Sequence, residues 1–87
     1  MQKREEVLPI IKSVLAKADH INLIALGAPK NEYDIEAEII TDILMKTKPM
    51  ICTSKMVHDV FVEQFEDDYT VEEFDYISLE INKKLSQ

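Results

Sequence analysis

The chain has no tryptophan, one glycine, one cysteine and three prolines in 87 residues. A single cysteine excludes an internal disulfide, so Cys52 reads as a small buried residue and not as half of a redox pair. One glycine, with no Asn-Gly or Asp-Gly pair, removes the usual signals of a β-hairpin. It also removes the glycine-rich phosphate loop, because Lys30 after the lone Gly27 lacks the Ser or Thr that such a loop requires. The longest apolar runs, such as LIAL at residues 23–26, fall far short of the roughly 20 residues of a membrane span. The opening MQKREEVLPI lacks an apolar core of signal-peptide length before Lys12, and a cytoplasmic location is the expectation.

Positive charge is the most unevenly missing property. Between Met56 and Asn82 there is no Lys or Arg, whereas Asp59, Glu63, Glu66, Asp67, Asp68, Glu72, Glu73, Asp75 and Glu80 all fall there. With a net charge of −7, this half repels phosphate backbones, which excludes nucleic acid as a partner and favours a basic protein.

What is present is helical periodicity. The length fits one domain over residues 1–87, since two halves would each be too small to bury a core unaided. Ile10, Ile11, Val14, Leu15 and Ala18 share one side of a first helix, with Lys12 and Lys17 outside the stripe. Pro9 places its start near Leu8 or after a short kinked extension. Ile35, Ile39, Ile40, Ile43 and Leu44 mark a second helix, which must end before Pro49. A third runs from Thr53 or Ser54 to Phe65 on Val57, Val60, Phe61 and Phe65. The fourth opens with Thr70 and Glu73 at capping-box spacing and carries Val71, Phe74, Ile77, Ile81 and Leu85, with Lys83 and Lys84 at its negative end. The expected fold is therefore all-α, a small four-helix bundle with an irregular packed loop between its first two helices. A short β-bridge within that loop stays open. Ile21, Leu23, Ile24 and Leu26 are too apolar for a solvated linker.

The stretch GAPKNEYDIEAEII, residues 27–40, reads as a turn at Gly27 and Pro29 leading into the second helix. Asp34 is the expected N-cap, Asn31 a competing one, and Glu36 suits the positive end of the dipole. The longer segment ADHINLIALGAPKNEYDIEAEIITDIL, residues 18–44, resembles the YugE-like family of short bacterial proteins without assigned activity. The matching residues are Asp19, Ile21, Leu23, Ala28, Pro29, Glu32, Tyr33 and Asp34; Ala18 and His20 stand where the family pattern has Trp and Pro. The resemblance implies a small all-α fold and brings no chemistry.

Among candidate sites, Asp34, Glu38 and Asp42 lie along one side of the second helix, as a solvated face partly balanced by Lys46 or as a docking stripe. Glu66, Asp67, Asp68 and Glu72 cluster at the junction of the third and fourth helices. These seven are the candidate partner-binding residues. The junction EQFEDDYTVEEFD lacks the glycine and alternating acids of a Ca²⁺ loop. His20 beside Asp19, His58 beside Asp59, and Cys52 supply zinc or thiol chemistry only if brought together, and adjacent helical residues diverge, so the histidines are expected at the surface. Tyr33, Tyr69 and Tyr76 are expected to pack with wet hydroxyls.

No catalytic residue, metal or cofactor is assigned. The function expected is a non-catalytic interaction or adaptor module presenting acids to a basic protein, of which an immunity- or antitoxin-like protein is one version. A homodimer or larger homo-oligomer is the alternative, built on the apolar faces of helices three and four, where Met56, Val62, Tyr76 and Leu79 flank the stripes. A small enzyme or metal-binding protein is the third class, for which no acid/base or nucleophile constellation is visible.

Overall fold

The computed structural model describes residues 3–87 and contains four helices, α1 (Arg4–Ala18), α2 (Asp34–Met45), α3 (Ser54–Phe65) and α4 (Asp75–Leu85), the last entered through a 3-10 turn at Glu72–Phe74. There is no strand or bridge among the described residues. The helices form a closed ring in which α1 packs on α2 and α4, α2 on α3, and α3 on α4. Lys84, near the end of α4, shares a groove with Pro9 and Ile10 of α1, so these two helices run antiparallel. One core fills the ring, with Val7, Ile11 and Leu15 of α1 meeting Ala37, Ile40 and Leu44 of α2, Val57 and Phe61 of α3, and Ile77 and Ile81 of α4. None of the helices among the described residues is long and apolar enough to cross a membrane.

The helix starts follow local chemistry. The carboxylate of Glu6 accepts from the Lys3 N–H at 3.1 Å, and Glu5 and Glu6 occupy the first turn, where the dipole favours acids. Helix α1 thus begins a full turn before Leu8 and carries Pro9 inside it. Of the two readings the proline left open, the helix has the extension before Leu8, as part of one continuous helix, and not the start at Leu8. Val7, fully buried one turn before Ile11, supplies the apolar contact that holds this extension. Thr53 caps α3 by accepting from the Met56 N–H at 3.3 Å. Thr70 and Glu73 form the expected reciprocal box, at 2.7 Å from the Thr70 N–H to Glu73 and 3.3 Å from the Glu73 N–H to Thr70 Oγ1.

Helix α2 differs from its sequence reading in two ways. Its cap position is Tyr33, and Asp34 is the first helical residue, so neither Asp34 nor Asn31 caps it with a side chain. The helix is also rotated about its axis: Ile35 is 61% exposed, while Ala37 and Thr41 are buried and Glu36 is only 5% exposed. Small residues at 37 and 41 let the backbone of α1 approach, which outweighs the apolar count of the isoleucine face. Thr41 satisfies its buried hydroxyl by donating to the Ala37 carbonyl at 2.7 Å.

The 19–33 loop is packed down by Ile21, Leu23 and Ile24, as its composition requires, but Leu26 is 82% exposed. Gly27 takes a φ of 111°, a conformation open to glycine at no steric cost. Between α2 and α3, the Asn82 side chain grips Cys52 by both backbone groups, accepting from its N–H and donating to its carbonyl at 2.8 Å each. Burial pushes the Cys52 thiol up to about 12, so it stays protonated and unreactive at neutral pH.

Candidate functional site

The α1–loop junction is organised by Asp19, which ends α1 in a left-handed conformation at φ 45°. Its carboxylate accepts from the N–H groups of Ile24 and Ala25 at 3.1 and 2.9 Å and from the Tyr33 hydroxyl at 2.6 Å. Partial burial works to raise the Asp19 pKa, but the Tyr33 hydroxyl and the backbone donors outweigh it and hold the carboxyl below its ordinary range. Burial and the same bond push Tyr33 up to about 12. The Tyr33 hydroxyl is therefore inside the fold, contrary to the expectation of a wet one.

The two histidines also depart from their sequence reading, since neither is a surface group. His20 does not use Asp19; its Nε2 lies 2.7 Å from Glu73 Oε1 and its Nδ1 2.7 Å from the Tyr76 hydroxyl. A carboxylate can only accept, so Nε2 carries the proton, and in the neutral ring Tyr76 donates to Nδ1. The ring is enclosed by Phe61, Tyr69, Phe74 and Tyr76, with centroids 4.5–6.0 Å away. The Thr70 N–H and then the His20 bond hold Glu73 below its ordinary value. His58 meets its neighbour Asp59 at 2.8 Å despite their adjacency, and its Nε2 donates to the Tyr69 carbonyl at 3.0 Å. His20 thus ties the first loop to the start of α4, and His58 ties α3 to the turn that follows it. Among the described residues, no group of three or more His, Cys, Asp or Glu is placed to hold a metal ion.

The seven candidate acids separate into two sets. Helix α2 turns Asp34, Glu38 and Asp42 toward α1, where Lys12 meets Asp34 at 3.5 Å and Arg4 meets Glu38 at 3.8 Å and Asp42 at 2.9 Å. The balancing cations are Arg4 and Lys12, not Lys46. By contrast, Glu66, Asp67, Asp68 and Glu72 are exposed at the turn joining α3 to α4, and no cation pairs with them among the described residues. Glu66 ends α3 in a left-handed conformation at φ 51°, and Asp67 accepts from the Asp68 N–H at 2.8 Å, so the turn has a defined shape. The structure does not bring the two sets together on one element: one lines the α1–α2 seam, the other projects from the bundle end.

Sequence reasoning passed over a groove between α1 and α4. Ser13, Val14, Lys17 and Ala18 face Tyr76, Ile77, Glu80 and Lys84 across about 370 Å³. Its only sequence signal was two lysines in the last turns of their helices, a placement the dipole already explains.

Searches of family models, curated proteins and solved structures found no match to the chain.

Proposed function

We propose that this protein is a non-catalytic interaction module that offers the acidic turn between α3 and α4 to a basic protein surface. The observation that carries this reading is the contrast in pairing: the α2 acids are met by Arg4 and Lys12, while Glu66, Asp67, Asp68 and Glu72 are exposed and have no cation partner among the described residues. Carboxylates left solvated and unpaired are available to steer and hold a cationic partner. An immunity- or antitoxin-like role against a basic toxin is one version of this reading, supported by size and acidity. The YugE-like affiliation, and a bacterial cytoplasm as the setting, belong to the same proposal; the affiliation rests on the residues shared between Asp19 and Asp34.

The test is comparative capture. A tip variant combining Glu66→Gln, Asp67→Asn, Asp68→Asn and Glu72→Gln should lose the basic proteins retained by the wild type from native lysate. A Glu38→Gln/Asp42→Asn variant should retain them. Equal capture by both variants and the wild type would refute the tip as the surface.

A second reading is a homo-oligomer built on the apolar faces of α3 and α4. It is favoured by Leu79, 69% exposed, and Tyr76, 49% exposed, one turn apart on α4. Light scattering that returns a multiple of 10.1 kDa supports this reading, and a monomer mass removes it.

A further inference from the structure

We propose that the α1–α4 groove is a binding site for a small amphipathic carboxylate, one with an apolar body and a single negative end. The inference is independent of the acidic turn, which projects from a different part of the bundle.

The shape comes from side-chain size. Ser13 and Ala18 are too short to fill the seam that Ile77 and Val14 floor, and the space that remains, about 370 Å³, falls at the low end of the roughly 300–1,000 Å³ typical of ligand pockets. A second depression, lined by Pro9, Ile10, Ser13, Val14 and Lys84, continues the seam toward the start of α1. Its floor is apolar and its walls are not. Val14 is 6% exposed and Ile77 beneath it is fully buried, whereas Lys17 stands on one wall and Lys84 on the other.

Charge decides the sign of the ligand. In a chain of net charge −7, this groove carries two lysines and one acid. Glu80 meets Lys84 only at 3.8 Å, and Lys17 has no carboxylate within ion-pair distance among the described residues. A helix dipole explains a lysine in the last turn of each helix. It does not explain why antiparallel packing sets both beside the same unfilled apolar seam. A carboxylate on the ligand supplies the partner that Lys17 lacks among the described residues, while the apolar body covers Val14 and Ala18.

The aromatic side of the groove is preorganised. The ring of Tyr76 is stacked on His20 at 5.8 Å, and its hydroxyl is fixed by the 2.7 Å bond to Nδ1. His20 is itself held by Glu73, the capping residue of the turn before α4. An aromatic wall locked in this way loses little side-chain freedom when a ligand packs against it. The favoured ligand is therefore flat or aromatic in its apolar part.

The experiment is an amide ¹H–¹⁵N titration of the intact protein with 4-phenylbutyrate, with 4-phenylbutylamine and inorganic phosphate as comparison probes. Saturable shifts confined to residues 13–18 and 76–84 are expected with phenylbutyrate. The amine should bind about tenfold more weakly or not at all, as should phenylbutyrate to Lys17→Glu, which removes no ion pair and keeps the fold. Absence of saturable shifts with phenylbutyrate overturns the proposal, as do equal binding of the amine, unchanged affinity in Lys17→Glu, or the same shifts from phosphate alone. A Lys17→Gln variant of intermediate affinity separates charge from bulk; affinity equal to the wild type would also overturn it.

Discussion

Phe61→Ala is expected to cost about 3–5 kcal/mol, the range for removing a large buried aromatic ring, and so to lower the melting temperature by roughly 15–30 °C in a domain of this size. Phe61 is the hub of the aromatic core. Its ring lies 5.1 Å from Phe74, 5.4 Å from Phe65, 6.0 Å from His20, 6.1 Å from Tyr33 and 6.4 Å from Tyr69. These partners come from the loop after α1, from the end of α3 and from the segment leading into α4, so one ring joins the α3–α4 region to a loop much earlier in sequence. The loss should therefore be cooperative, with far-UV and near-UV signals falling together in thermal unfolding. A drop of only a few degrees would mean that the cluster packs around a void already. Small domains hold a net margin of about 5–15 kcal/mol, and Phe61→Ala should leave little of it.

The second large effect has the opposite sign. Glu36 is buried on α2, and its Oε1 has no hydrogen-bond partner among the described residues. Burial, with smaller contributions from Glu32 and Asp34, raises its pKa above the ordinary value of 4.5. A raised carboxyl in the fold means that the native state binds a proton more readily than the unfolded chain. The stabilisation is then complete below 4.5 and is lost as pH rises through the native value. At neutral pH the ionised Glu36 is a burden. Glu36→Gln, which removes the charge at constant shape, should raise the melting temperature at pH 7 by a few degrees, on the order of 1 kcal/mol. The advantage should shrink as the pH falls through the raised native value toward 4.5, and be gone below 4.5, where the wild-type carboxyl is protonated in both states. A Gln variant less stable at pH 7, or a gain independent of pH, contradicts the account.

How much of this could be read from residues alone is clearest by comparing elements. Helix α3 was legible because Thr53 states its start in local chemistry and Val57, Val60 and Phe61 are buried as its period marks. For α4 the Thr70–Glu73 pair is formed and Phe74, Ile77 and Ile81 are buried, but a 3-10 turn delays the regular helix to Asp75. The start of α1 was partly legible: Val7 sits one turn before Ile11, but Pro9 drew attention to itself although an exposed proline ring can be accommodated there. The rotation of α2 was not legible. Five isoleucines and leucines outvote Ala37 and Thr41 in a hydrophobic count, yet close approach to α1 depends on small size, which periodicity does not weigh.

The candidate site divides along the same line. That Glu66, Asp67, Asp68 and Glu72 lie in an exposed turn followed from their position between two helical stripes. That Asp34, Glu38 and Asp42 are already engaged did not, because the decisive cation, Arg4, pairs with Asp42 across 38 positions of sequence. The His20 contacts reach further still, 53 positions to Glu73 and 56 to Tyr76. The divergence of adjacent His and Asp side chains suggested a surface histidine, and only the packing of the first loop against α4 brings the actual partners of His20 within reach.

The central claim is that the acids of the α3–α4 turn are held for a partner and contribute nothing the fold needs. Thermal unfolding of the combined Glu66→Gln, Asp67→Asn, Asp68→Asn, Glu72→Gln variant at low salt tests it most directly, because relief of like-charge repulsion is then least screened. The account predicts a melting temperature equal to or above that of the wild type, with helix content unchanged. A fall of several degrees would show that these carboxylates hold the bundle together, and would contradict it.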